Sequence, residues 1–212
     1  MIEIVFVMVI GYLAGCFQTS YFIAKTVKKT DIRSLGNGNA GASNTTVVFG
    51  WKYGVLVALI DIIKPVLAIL LVHYLWRNRI DSEMLILLKY ICGFCVILGH
   101  NFPFFMGFKG GKGTASLIGM FMAIDIKIGF IGFLAILLVT IFSDYIVLGT
   151  IALIVSVFIM TIILDYNVFC IIITLLLAVM SIYKHIPNLI KIKNGTETRL
   201  RNTWEKGKDI NM

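Results

Sequence analysis

Apolar runs separated by short polar segments dominate the chain. Residues 4–24, 145–164 and 166–183 carry no charged side chain, and a helix of about 20 such residues covers the hydrocarbon core of a bilayer. Residues 53–76 are as long but enclose Asp61 and Lys64, and residues 84–99 enclose Lys89. Residues 128–143 are shorter, and residues 113–124 shorter again. The pattern predicts an all-α integral membrane protein, a single polytopic domain over residues 1–212 with seven transmembrane helices. Six crossings with a tilted or re-entrant helix at 113–124 is the alternative. The first run is read as a span rather than a cleaved leader, because no basic segment precedes it and no cleavage site stands before Lys25.

Composition agrees, and charge adds an orientation. Of 212 residues, 59% are hydrophobic and only 14% charged, which excludes an ordinary soluble domain. Fourteen of the 19 Lys and Arg fall in one alternate set of loops (25–52, 101–112 and from 184 onward). Three, Arg77, Arg79 and Lys127, fall in the other set. Basic loops stay in the cytoplasm, so the amino terminus is expected outside and the carboxyl terminus in the cytoplasm. The formal net charge of +8 then faces anionic lipids and phosphorylated metabolites. All four cysteines lie in expected helices, and Cys92-x-x-Cys95 lacks a second ligand pair. No metal and no cofactor is expected.

Three segments on the basic side are richer than tethers need to be. They are DIRSLGNGNAGASN at 31–44, GHNFPFFMGFKGGKGTAS at 99–116 and YKHIPNLIKIKNGTE at 183–197. Each concentrates glycine, amide, hydroxyl and base, the groups that hold oxyanions. Gly36, Gly38 and Gly41 match a dinucleotide-binding fingerprint literally, but no strand precedes them. What remains is local: glycines let backbone N–H groups point into one concavity, which suits anions on any fold. In the second segment Lys109 and Lys112 supply charge, and Gly110, Gly111 and Gly113 permit close approach. The next helix then offers its N-terminal dipole to an anion. Lys112 is followed by glycine, so this is no P-loop.

The remaining polar residues have two readings each. Asp61 and Lys64 share a helix face, and an ionised pair in lipid turns inward. It is either a structural pair or one in which Lys64 joins the anion site and Asp61 holds it. His100 and His185 stand at cytoplasmic helix ends, as general bases or oxyanion donors, or as caps. Lys89 is read as a snorkelling side chain, and His73 is given no role.

Taken together the three segments resemble the acyl-phosphate-dependent glycerol-3-phosphate acyltransferases of bacterial membranes, the PlsY type. The resemblance runs from Gly15 to Leu200. It rests on G-x-G-N-x-G-A-[ST]-N after DIR, on GHxFPxFxxFKGGKG, and on KHxxNxxxxxxGTE, with LID..K around Asp61 and Lys64. It implies seven helices, an outside amino terminus, and a cytoplasm-facing site in the bacterial inner or plasma membrane. The implied reaction moves a fatty acyl group from acyl phosphate to the 1-hydroxyl of glycerol 3-phosphate. Its products are lysophosphatidic acid and phosphate, for phospholipid biosynthesis. The implied partners are these two substrates and membrane lipids, not nucleic acid. The enzyme that forms acyl phosphate is the protein partner left open.

Carried over position by position, phosphate contacts would come from Gly38, Asn39, Gly41, Ser43, Asn44, Lys109, Gly110, Gly111 and Lys112. His185 and Asn188 would act from the third segment, with His185 the candidate base, and His100 would support the loop. Asn37 would be a further substrate contact, but there the family usually has Ser; the chain also departs from the pattern at Val47 and Asp144, where the family usually has Arg. Ile186-Pro187 replaces an Arg-Glu pair, and Gly15-Cys16-Phe17-Gln18 replaces GSIP. Two rival readings follow: a divergent paralogue with altered or lost catalysis, and a carrier for a phosphorylated solute. An acyltransferase with an H-x-x-x-x-D motif is disfavoured, since Phe105 stands where that motif needs its aspartate.

Overall fold

The computed structural model describes residues 2–202; Lys206 and Lys208 of the basic tail lie outside them. Nine α-helices of eight or more residues are found among the described residues: α1 Ile2–Cys16, α2 Thr19–Val27, α3 Ala42–Phe49, α4 Trp51–Trp76, α5 Ser82–Asn101, α6 Thr114–Ile124, α7 Ile126–Ser143, α8 Ile146–Ile163 and α9 Val168–Lys193. Taking α1 and α2 together, six helical stretches are long and apolar enough to cross a membrane, and α6 is a shorter apolar helix. The outside is oily: Leu59, Leu67, Leu70, Phe130, Phe142 and Leu175 are exposed. The polar side chains Gln18, Asp61, Lys64, His100, Ser116 and His185 are buried. That distribution suits a lipid solvent, in which polar groups must find partners inside the bundle.

The run 4–24 is not one helix. It breaks at Phe17-Gln18, where Gln18 is extended. A break frees backbone carbonyls, which in an apolar setting need donors. Lys64 Nζ supplies them, 3.4 Å from the Gly15 carbonyl and 3.2 Å from that of Phe17. Gln18 Nε2 reaches on to the His100 carbonyl at 2.9 Å. Two small residues let α1 and α5 meet this closely. A Cβ on Gly15 would lie 2.0 Å from the Val96 carbonyl oxygen, and one on Gly99 would lie 2.2 Å from that of Tyr12.

Pro65 lies inside α4 and is buried. Proline has no N–H, so the Asp61 carbonyl four residues earlier has no helical donor. Ser116 Oγ, from α6, donates to that carbonyl at 3.0 Å. The same contact docks α6 onto α4. The two ends of α6 lie among different turns. Thr114 Oγ1 is 3.2 Å from Thr150 Oγ1 near the start of α8. Asp125, just past the far end, accepts from the Tyr166 hydroxyl at 2.9 Å, beside the start of α9.

Candidate active site

The glycine loop is built on the end of α5. Phe102 N donates to Leu98 O at 2.8 Å. The chain then makes a 3-10 turn at Phe104–Met106, and Gly107 and Phe108 adopt positive φ. It doubles back so that Gly110 N donates to Asn101 O and Gly111 N to His100 O, both at 3.1 Å. Gly110 and Gly111 therefore lie directly on His100. A Cβ on Gly111 would sit 2.1 Å from His100 Nε2, and one on Gly110 would sit 2.1 Å from the His100 carbonyl oxygen. Gly113, at φ +80, turns the chain into α6.

Beneath the loop is a buried cluster of Asp61, Lys64 and His100. Lys64 Nζ is 2.9 Å from Asp61 Oδ1 and 2.6 Å from His100 Nδ1. An ammonium has only donors, so Nδ1 accepts and the His100 proton sits on Nε2, toward Gly111. Asp61, Lys64 and His100 are 3%, 7% and 3% exposed. Lys64 thus fastens α1, α4 and His100 under the loop, in keeping with the structural one of its two readings.

The first segment wraps the other side. Asp31 caps a 3-10 turn at Ile32–Ser34 by accepting from Arg33 N at 2.9 Å. The Arg33 guanidinium grips Asp31 at 2.6 Å and also donates to the carbonyls of Met106 and Lys109, at 2.6 and 3.1 Å. The hydrogen bond from Arg33 holds the Asp31 carboxyl below its usual range, and the same bond raises Arg33. Asn44, fully buried, donates to the carbonyls of Ile32, Leu35 and Asn39 and accepts from Asn37 N. Its side chain is spent on shaping this loop. Asn37, Gly38, Ser43 and Lys109 are exposed, and Asn39 and Gly41 are half-buried. Between the two segments opens a cavity of about 620 Å³, lined by Asp31, Arg33, Gly38, Lys109 and Gly110 among others.

The third segment closes the opposite flank. The expected span 166–183 continues as helix through Lys193, which carries His185 and Asn188 to the loop. Lys112 Nζ donates to Asn188 Oδ1, and Asn188 Nδ2 donates to Glu197 Oε1 at 2.7 Å. Burial pushes the Lys112 ammonium down to about 8, with Lys191 and Lys184 adding to the shift and Glu197 opposing it. His185 Nδ1 is 2.8 Å from the Ser181 carbonyl. A carbonyl only accepts, so Nδ1 carries the proton and Nε2 keeps its lone pair.

Two groups therefore adjoin the glycine loop: Gly38, Lys109 and Gly110 line the cavity, and Lys112, Asn188 and His185 gather where α9 meets the loop. Sequence reasoning missed three supporting residues. Arg33 and Glu197 sat inside quoted motifs, and the signal was their charge beside glycine turns. Lys184 Nζ is 3.4 Å from Asn101 O and lies over the Phe102 ring; its only signal was adjacency to His185.

The chain is similar to known proteins over nearly its whole length. A family model described as glycerol-3-phosphate acyltransferase matches residues 5–195. The chain is 42% identical over 198 residues to glycerol-3-phosphate acyltransferase 1 of Oceanobacillus iheyensis, covering 93% of this chain and 95% of that one. It is 35% identical over 192 residues to the glycerol-3-phosphate acyltransferase of Thermoanaerobacter pseudethanolicus, covering 91% and 93%. Among solved structures it resembles the integral membrane glycerol 3-phosphate acyltransferase PlsY (YgiH). The glycerol 3-phosphate form aligns with TM-score 0.82 at 33% identity, over 92% of this chain and 94% of that one. The lysophosphatidic acid form aligns with TM-score 0.79 at 31% identity, over 94% and 97%. An apolar bundle that seats a glycine loop on a buried histidine, between two further polar segments, is here that of a multi-pass membrane protein that belongs to the glycerol-3-phosphate acyltransferase family.

Proposed function

We propose that the protein transfers a fatty acyl group from acyl phosphate to the 1-hydroxyl of glycerol 3-phosphate, at the cytoplasmic face of a bacterial plasma membrane. Family membership supports the reaction class, and the printed forms of the structural relative support the acceptor and the product. The observation that carries the site assignment is the glycine loop, adjoined by the cavity with Lys109 and by Lys112 with His185. Two phosphates need such a cationic, backbone-lined surface. The oily sides of the helices provide an apolar path for the acyl chain.

In the proposed reaction the acceptor hydroxyl oxygen attacks the acyl carbonyl. A carbon–oxygen ester bond forms, and the bond from carbon to the phosphate oxygen breaks. Phosphate leaves with the electron pair, and the hydroxyl proton passes to His185 Nε2 or to a substrate phosphate. Phosphate is a good leaving group, so positioning and charge balance make up most of the catalysis. Lys112, held by Asn188, and the exposed Lys109 supply the balancing charge, and Gly110 and Gly111 supply close backbone approach.

Seven crossings, with the amino terminus outside and the carboxyl terminus in the cytoplasm, complete the reading. The basic-loop asymmetry supports it. So do the contacts of α6, whose two ends meet different sets of turns. Purified protein given palmitoyl phosphate and glycerol 3-phosphate should release phosphate and form lysophosphatidic acid. Folded protein that releases none would overturn the reaction. Uptake of labelled glycerol 3-phosphate into sealed vesicles, without acylation, would favour the carrier instead.

A further inference from the structure

The hydrogen bonds at one end of α6 close into a ring. Lys112 donates to Asn188, and Asn188 to Glu197. Shortly after Glu197, Leu200 N donates to the Asp144 carbonyl at 2.8 Å. Arg201 N donates to Asp144 Oδ1 at 3.1 Å. Asp144 is the turn residue between α7 and α8. Thr150, early in α8, meets Thr114, which follows Lys112 by two residues. The circuit thus joins the glycine loop, α9, the chain after α9 and the α7–α8 turn.

One position in this ring is chemically unusual. Asp144 has φ +68, a left-handed conformation that Asp and Asn tolerate better than most side chains. In that conformation it presents both its carbonyl and its carboxylate to successive N–H groups of the passing chain. The turn after α9, where Thr196 N and Glu197 N donate to Lys191 O at 2.8 and 3.2 Å, aims Glu197 toward Asn188. The Asp144 bonds restrain the chain just beyond it.

We propose that Asp144 is a positioning residue for acyl transfer: it latches the chain after α9, so that Glu197 and Asn188 hold Lys112 against the glycine loop. The proposal rests on the reading of Lys112 as a contact to a substrate phosphate. Among the described residues, the charged and titratable groups facing Lys112 are Lys184, His185 and Lys191 from α9 and Glu197 from the latched chain, and of these Glu197 favours the ammonium form. Loosening the latch therefore weakens the placement of Lys112 and removes the carboxylate that favours its ammonium form.

The test compares Asp144→Gly with Asp144→Asn in the full-length protein. Glycine keeps the left-handed turn and loses the side-chain acceptor; asparagine keeps both. One lost hydrogen bond predicts about a three- to tenfold lower kcat/KM for glycerol 3-phosphate in Asp144→Gly. Its basic limb should shift to lower pH, while Asp144→Asn stays close to the parent in both. A thermal midpoint in detergent confirms that each variant folds. Asp144→Gly should add little to Lys112→Ala, because both act at one group. The latch is overturned if Asp144→Gly keeps the parent rate and limb. Equal impairment of the two variants, or a full further loss in the Lys112→Ala background, also overturns it. A parent-like rate in Lys112→Ala itself overturns the phosphate-contact reading, and a parent that transfers no acyl group overturns the activity. The failure of the latch is thus distinguishable from the failure of the site.

Discussion

A single methyl group added to Gly111 probes the join between the loop and its support. The new Cβ would lie 2.1 Å from His100 Nε2, where ordinary contact begins near 3.4 Å, so about 1.3 Å must be found. His100 has little freedom to give it, since its Nδ1 is held 2.6 Å from Lys64 Nζ and Lys64 is tied to Asp61. The loop must move instead, and it carries Lys112 in the next position. Overpacking of this kind costs about 1–3 kcal/mol of stability, and a displacement of about 1 Å in a catalytic group lowers the rate roughly a hundredfold. Gly111→Ala is therefore expected to lower kcat/KM for acyl transfer from palmitoyl phosphate by about that factor. Gly107→Ala is the contrast. Gly107 has positive φ but nothing within 4 Å of a Cβ, so it should suffer about 1 kcal/mol of backbone strain and only a few-fold change in rate. Because the clash is with His100, Gly111→Ala and His100→Ala should be strongly non-additive. Parent-like kcat/KM in Gly111→Ala, or full additivity with His100→Ala, would refute the proposed seating of the loop.

Four further outcomes are expected. If the Lys112 ammonium binds phosphate, kcat/KM should fall as pH rises through about 8, the value to which burial lowers this group. The linkage to stability has the opposite sign: the folded state holds its proton less tightly than the unfolded chain, so this group's contribution to stability improves between about pH 8 and its ordinary 10.5. A thermal midpoint that drops across that window would contradict the assignment. Ser116→Ala strands the Asp61 carbonyl beside Pro65 and should cost about 1–3 kcal/mol, read as a lower thermal midpoint; an unchanged midpoint would mean another donor serves it. Asn37→Ser combined with Val47→Arg should raise acyl-transfer turnover by about 10- to 1000-fold, the scale of one regained charged contact; no gain over a fast parent would show that the site compensates elsewhere. Cysteine tags at Asn78 and Asp165 should react with an impermeant reagent from outside while one at Ser34 stays protected, and the reverse pattern would remove the cytoplasmic site.

The helices were legible because lipid imposes a simple rule on their outer faces, and runs such as 145–164 obey it without exception. The break at Phe17-Gln18 was not legible, because it depends on a donor, Lys64, from another helix. Nor was the extension of α9, since Lys184 and His185 end the apolar run but point into the bundle end rather than out of a helix. At the candidate site, the glycines and Lys112 stand out by composition alone. Asn44 and Lys64 carried the same chemistry as ligand-binding residues, and only their neighbours reveal that their bonds are internal. Arg33 was hidden for the converse reason: it reads as one more basic loop residue until its two carbonyl partners are seen.

The shortness of α6 has an energetic meaning for the substrate. Its 11 residues rise about 16 Å against a hydrocarbon thickness of about 30 Å. In the proposed arrangement that shortfall, taken on the side of the preceding glycine loop, sets the loop below the level of the lipid headgroups. An acyl phosphate delivered there keeps most of its methylenes among lipid tails. Lifting a chain into water costs about 0.8 kcal/mol for each methylene exposed, a penalty that grows with every carbon of a long donor. A recessed reaction plane avoids that extraction and brings only the small, soluble acceptor down to the chain. The two substrates then approach from different phases and meet at a depth set by the length of one helix.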